Sequence, residues 1–167
     1  MRRLTSCAAA VIIGAATLGA VASYQAAGAA EHTTFKLHQD APALVPVDIA
    51  LPGASHGDML AFEAKITGDD GIAGTLRGIL ITVDLPDDSG DILEDRIGQL
   101  IFDLGNGNSL VAAGGSVYPG KGVEMAANTA QVRAVTGGTG SYIGARGQVT
   151  TVRNEDGSYE HSFELLD

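Results

Sequence analysis

Arg146 stands among small residues in the run from Ala134 to Val152, AVTGGTGSYIGARGQVTTV. A period-two reading puts Tyr142, Gly144, Arg146, Gln148 and Thr150 on one strand face. Ile143, Ala145, Gly147, Val149 and Thr151 fall on the other. One face is polar, the other small and mostly apolar. If the polar face lines a barrel, Arg146 is a fixed cation that holds a carboxylate or enolate oxygen, with Tyr142 and Gln148 beside it. If it faces outward, Arg146 is a surface or intersubunit ion-pair partner. His38 and Asp40 share a face if the first strand stays regular, and the spacing alone reads them as polar residues at a strand end. His161 shares a face with Tyr159 and Phe163 on the last strand, which makes it a core or lumen histidine.

Several chemistries lack their residues. His32, His38, His56 and His161 show no metal-ligand spacing, so no metal site is expected. Gly137-Gly138-Thr139-Gly140 is followed by strand-forming residues, with neither the helix nor the lysine of a phosphate loop. It reads as a hairpin turn. Nothing resembles a nucleophile elbow, a dinucleotide fingerprint or a base-stacking platform, and no cofactor is expected. Ten Lys and Arg stand against 20 Asp and Glu, a formal charge of −10. A surface of that sign repels phosphates and anionic membranes, so nucleic acid is not an expected partner.

The first thirty residues read as a secretory leader. Arg2 and Arg3 precede an uncharged apolar run from Ala8 to Val21, and Ala27-Gly28-Ala29-Ala30 offers a cleavage site near Ala30. The run is too short and too rich in Ala and Gly for a stable membrane span. Cleavage removes Cys7, the one cysteine, together with two arginines, and takes the formal charge from −10 to −12. A secreted domain of residues 31–167, without disulfides, is expected.

Short β-patterned runs fill that domain: 33–38, 58–67, 74–85, 96–104, 109–118, 123–136, the segment after Gly140, and 158–166. Gly105-Asn106-Gly107-Asn108 and Asn154-Glu155-Asp156-Gly157 are hairpin turns. The Pro-rich segment 42–52 is a loop or irregular edge. No amphipathic helix interrupts the series. The expected fold is all-β, with seven or eight antiparallel strands in a sandwich or an up-and-down barrel, and a barrel also removes the exposed edges of such Val- and Ile-rich strands.

Three blocks resemble the allene oxide cyclase and dirigent superfamily: Gly57 to Gly68 (GDMLAFEAKITG), Gly74 to Val83 (GTLRGILITV), and Ala134 to Val152. The third is the most similar, through Gly137, Gly138, Thr139, Gly140, Ala145, Arg146 and Gly147. The resemblance implies an eight-stranded antiparallel up-and-down barrel of lipocalin-like shape around an apolar central cavity, commonly trimeric, and cyclase activity in some bacterial relatives. It implies that Arg146 belongs to the pocket and that Glu63 stands where dirigent proteins carry an acid; a solvated strand face explains Glu63 equally. Where allene oxide cyclases use a first-strand glutamate, this chain offers Lys36 and His38. Where dirigent proteins have His-Asp, it has His38-Gln39-Asp40.

The functional expectation is a secreted barrel that binds an apolar small molecule and steers its cyclisation, isomerisation or coupling without a cofactor. Arg146, Tyr142 and Asp40 are the candidate catalytic residues, and His38, Glu63, Gln148 and His161 the candidate ligand contacts. The alternative is a non-catalytic extracellular carrier. Gly-, Ala- and Val-rich faces such as Val111-Ala113-Gly115 suit a homo-oligomer, a trimer or else a dimer. Far-ultraviolet circular dichroism of the purified protein is expected to show a β-dominated spectrum; a helix-dominated one contradicts the fold.

Overall fold

The computed structural model describes residues 32–49, 52–69, 71–85, 93–119 and 124–167. The expected leader, with Cys7, and the acidic run 87–91 lie outside the described residues. Nine antiparallel strands follow in chain order: β1 His32–Gln39, β2 Ala43–Val47, β3 Met59–Gly68, β4 Ala73–Asp84, β5 Leu93–Gly105, β6 Asn108–Pro119, β7 Ala130–Thr139, β8 Gly147–Arg153 and β9 Tyr159–Leu166. Among the described residues the one helical piece is a single 3₁₀ turn, Gly140–Tyr142.

The sheet runs β1-β9-β8-β7-β6-β5-β4-β3-β2, and β1 also pairs with β3. That pairing, Leu37 opposite Gly68 and Gln39 opposite Ile66, closes an eight-stranded barrel. β2 is the extra strand. It continues along the same edge of β3 that β1 occupies, from Ala43 opposite Glu63 to Val47 opposite Met59. Its Pro46 has no N–H to donate, and a short strand at a sheet edge tolerates that loss. The Pro-rich segment is therefore an edge strand flanked by irregular chain.

Side-chain alternation dictates which face closes inward. In β3 the buried Leu60, Ala64 and Ile66 alternate with the exposed Glu63, Lys65 and Thr67. In β5 the buried Glu94, Arg96, Leu100, Phe102 and Leu104 alternate with the exposed Leu93, Asp95, Ile97, Gln99 and Ile101. Burying one face of the eight barrel strands in a common lumen removes most of the sheet edges that such β-branched strands would otherwise expose.

The lumen has two halves. The lower half is filled by Leu37, Ile66, Leu76, Phe102, Leu110, Val149, Phe163 and Leu165. Phe102 meets Phe163 edge-on, and Phe163 stacks on Phe35 with ring centres 4.8 Å apart. Tyr142 and Ala145, on the loop between β7 and β8, pack against this cluster and cap the closed end. The upper half holds a smaller apolar cluster of Leu60, Leu80, Tyr118, Met125 and Tyr159. Polar side chains share that level.

The Gly-rich motif splits at this loop. Gly137, Gly138 and Thr139 finish β7, and the chain turns only at Gly140–Tyr142. β8 starts at Gly147, later than a hairpin at 137–140 predicts. Gly147 has φ +148°, and a Cβ there would come 2.0 Å from the carbonyl oxygen of Glu164. Gly115, on β6, has open space around the same position. Gly147→Ala is expected to destabilise the barrel by about 2 kcal/mol or more through backbone displacement. Gly115→Ala is expected to change stability by no more than about 1 kcal/mol. Urea denaturation of the two variants checks this.

Candidate functional site

Seven of the residues singled out by sequence reasoning fall on different sides of the barrel wall. Arg146 is exposed on the loop before β8, and its carbonyl accepts from the Leu166 amide. Gln148 faces outward and donates to Glu164 at 2.7 Å. Glu63 faces outward and pairs with Arg77 at 2.8 Å. His38 is half-buried on the outer face, 2.7 Å from Glu160, and the exposed Asp40 lies 3.9 Å from its other nitrogen. Tyr142 is a cap on the closed end, its ring 6.2 Å from that of Phe35. His161 alone points into the lumen, 1% exposed.

The inward face of β8 is therefore the small, apolar one, with Val149 and Thr151 inside. The physical reason is depth. Val149 lies at the level of the filled lower half, where a buried Gln or Arg would lack partners. The same alternation corrects β1: Gln39 is inside, between the outward His38 and Asp40.

The candidate site is the cavity in the upper lumen, built from inward side chains that adjoin His161. Gln39, Thr151, Arg133, Tyr118, Tyr159 and Glu124 provide its polar lining. Leu44, Leu60, Phe62, Leu80, Leu100 and Met125 provide its apolar lining. The enclosed space is about 40 Å³, room for a water or a single functional group. Gly78 helps to shape the apolar wall. A Cβ on it would collide with the Phe62 ring at 2.2 Å, so the ring lies directly over the β4 backbone.

His161 is fixed by both nitrogens. Its Nε2 is 2.9 Å from Gln39 Oε1 and its Nδ1 is 2.9 Å from Thr151 Oγ1. The Gln39 amide nitrogen donates to the Asp40 carbonyl, which leaves its oxygen facing the ring. The neutral ring therefore donates from Nε2 and accepts the Thr151 hydroxyl proton at Nδ1. Burial lowers the His161 pKa to about 3, and the Arg133 charge and then His38 push it the same way. Both nitrogens being engaged, His161 supports the site rather than carrying protons through it.

The other polar groups are held as firmly. Arg133, 3% exposed, donates from Nη2 to the Tyr118 oxygen at 3.4 Å. The Tyr118 ring lies under the Arg96 guanidinium, 4.5 Å from its carbon. Arg96 in turn donates to Glu94 at 2.8 Å, and Thr82 donates to the same oxygen at 2.7 Å. Near the mouth Tyr159 donates to Glu124 Oε1 at 3.1 Å, and Arg153 holds the other oxygen at 3.1 Å. Burial, then the charge of Glu124, raises the Tyr159 pKa, so its phenol stays protonated and remains a donor. Among the described residues no group of three or more His, Cys, Asp or Glu is placed to hold a metal ion.

Sequence reasoning passed over Gln39, Thr151, Arg133, Tyr118 and Glu124. Arg133 had a signal: it shares a strand face with the buried Val135, and an arginine on an apolar face is a candidate lumen residue.

No family model matches this chain, and no curated protein matches it. Solved structures do. A pyocyanin demethylase is similar over 81% of this chain and 100% of its own, at TM-score 0.60 and 21% identity. A nonspecific heme-binding cyclase that catalyses a cycloaddition during neoabyssomicin biosynthesis covers 82% of this chain and 64% of its own, at TM-score 0.59 and 15% identity. A Diels-Alderase from Streptomyces koyangensis covers 85% and 72%, at TM-score 0.53 and 15% identity. The chain has the allene oxide cyclase-like barrel fold. At such identities the likeness is one of architecture, and the lumen residues carry the argument about this protein.

The depressed His161 pKa has a consequence for stability. The unfolded imidazole takes a proton near pH 6.5, while the folded one stays neutral down to about pH 3. In that window the unfolded state binds more protons, so stability falls as the pH falls, by up to about 1.4 kcal/mol per pH unit from this group. Urea denaturation between about pH 6.5 and 4.5, above most carboxylate titrations, is expected to show that slope in the wild type and a flatter one in His161→Gln.

Proposed function

We propose that this protein binds a small, largely apolar molecule in the upper lumen and steers its reaction by confinement. One observation carries the reading. The lower lumen is packed with Leu and Phe, whereas the upper lumen gathers buried polar groups around a cavity with an apolar wall. A purely structural core has no use for buried Arg133, His161, Gln39 and Thr151, each of which costs desolvation. An apolar pocket with a few fixed polar groups is the usual composition of a small-molecule site. The similar barrels, named as a demethylase, a cyclase and a Diels-Alderase, support the same reading.

The cavity of about 40 Å³ is smaller than an organic ligand. Met125, 5% exposed, is packed with Leu60, Leu80 and Tyr159 in the upper cluster. An unbranched thioether rearranges at little cost, so its movement is the simplest way to enlarge the site. A ligand then replaces the methionine against the same apolar wall. Holding a flexible substrate in one conformation lowers the entropy loss of an intramolecular reaction, and apolar burial offsets the cost of ordering it. Cyclisation, isomerisation and coupling are the reaction types that fit, and this mode of action needs no cofactor. Tyr118, Tyr159 and Thr151 are hydroxyls that line the site, and Arg133 is its cation.

We extend the proposal to the setting. The leader pattern of residues 1–30 supports export. The exposed apolar side chains Ile79, Ile97, Ile101, Val117 and Val132 on the outer wall support a homo-oligomer, with a trimer favoured over a dimer. Carriage without chemistry is the second reading. It is favoured by the absence of a glutamate on the first strand and by the engagement of both His161 nitrogens.

Native mass spectrometry of protein purified from its own source tests the site. The expected result is a retained small molecule of defined mass. Leu60→Trp, which fills the mouth of the lumen, is expected to lose it while keeping a β-sheet spectrum. Retention by that variant at the wild-type level would sink the lumen site. Conversion of an added polyene or epoxide separates catalysis from carriage.

A further inference from the structure

Among the described residues, Arg133 is a buried cation that no carboxylate balances. Arg96 has Glu94 at 2.8 Å, Arg153 has Glu124 at 3.1 Å, and the exposed Arg77 has Glu63 at 2.8 Å. Arg133 makes no ion pair among the described residues, although the chain carries 20 acidic side chains. Its Nη2 donates to the neutral Tyr118 oxygen over a long 3.4 Å, and its Nε–H is buried without any acceptor. A guanidinium 3% exposed and so poorly matched is a net cost to folding.

Its surroundings are neutral by construction. His161 is held uncharged between Gln39 and Thr151. Glu124, the carboxylate lining the same cavity, has both oxygens engaged by Arg153 and Tyr159. Beyond these groups the wall is Leu60, Leu80 and Leu100. With Glu124 paired to Arg153 and Glu94 to Arg96, the charge left unbalanced among the described groups of the upper lumen is that of Arg133, facing an apolar wall. In such a low-dielectric setting an anionic oxygen gains far more from a guanidinium than it does in water.

From this we propose that the ligand is an organic anion: an apolar body with one oxygen-centred negative charge, a carboxylate, phenolate or enolate, that accepts a hydrogen bond from Arg133 Nε. The inference rests on the reading that the upper lumen is the ligand site, and it adds the ligand's charge and the residue that selects it. Neutral hydrocarbons would leave Arg133 as unsatisfied as before. Amines would meet a like charge. If the ligand reacts, the same contact stabilises negative charge that develops on that oxygen, without reorganising the protein.

Isothermal titration of the purified protein with straight-chain fatty acids, hexanoate to dodecanoate, and with the alcohols of matching length tests this at neutral pH. The best-fitting acid is expected to bind about tenfold or more tightly than its alcohol. Arg133→Met is expected to erase the preference, bringing the affinities of acid and alcohol to within about twofold of each other. Because that variant removes an unbalanced buried charge, its melting temperature without ligand is expected to rise. Arg133→Lys, which keeps the charge, is expected to retain part of the preference. Equal binding of acid and alcohol by the wild type would overturn the inference and leave the lumen site standing. So would a preference that survives in Arg133→Met, or a lower melting temperature of that variant together with an unchanged preference in the wild type–variant comparison. Failure of both series to bind would remove the lumen site, and this inference with it.

Discussion

Closure of β1 onto β3 is the constraint from which the rest of the molecule follows. It joins the two ends of an antiparallel sheet and commits one face of eight strands to a single lumen. Every inward side chain must then share that volume, and the only free variable is depth. Deep positions went to Leu37, Phe102, Leu110, Val149 and Phe163, which fill space and need no partners. Positions near the mouth went to residues that do need them, and the partners are there. Gln39 and Thr151 serve His161, and Glu94 serves Arg96 and Thr82. Two buried nitrogens among the described residues break this rule, Nε of Arg153 and Nε of Arg133; Arg153 still has Glu124, whereas Arg133 has no carboxylate there, which is why the upper lumen reads as a site rather than as a wetter piece of core.

The outer face follows the same logic with opposite signs. The charges displaced from the lumen pair across neighbouring strands, Glu63 with Arg77 and His38 with Glu160. They set no chemistry and add little stability in solvent. Between them Ile97, Ile101, Val117 and Val132 remain uncovered on β5, β6 and β7. A barrel that has spent its inward faces on a core and a pocket has only the outer wall for contacts with a partner, and these side chains are the apolar part of that wall.

The architecture was legible in the sequence because period-two alternation and Asn-Gly turns are local signals. β3 and the turn at Asn106-Gly107 are written in adjacent residues. The lumen was harder to read. Alternation separates two faces without saying which is inside. On β9 the apolar Phe163 and Leu165 share a face with His161 and decide the matter. On β8 both faces contain small or polar residues, so Arg146 and Gln148 competed with Val149 and Thr151, and only barrel depth distinguishes them. On β1 the attention drawn by His38 and Asp40 hid Gln39, whose importance depends on a partner 122 residues away. Arg133 carried only a weak local signal, the face it shares with Val135, because its meaning lies in a carboxylate that is not brought to it among the described residues.

Intermolecular nuclear Overhauser effects between decanoate and the methyl-labelled protein test the central claim most directly. The account predicts contacts from the ligand chain to the methyls of Leu60, Leu80, Leu100 and Met125. Contacts confined to Ile97, Val117 and Val132 would place the ligand on the outer wall and contradict it.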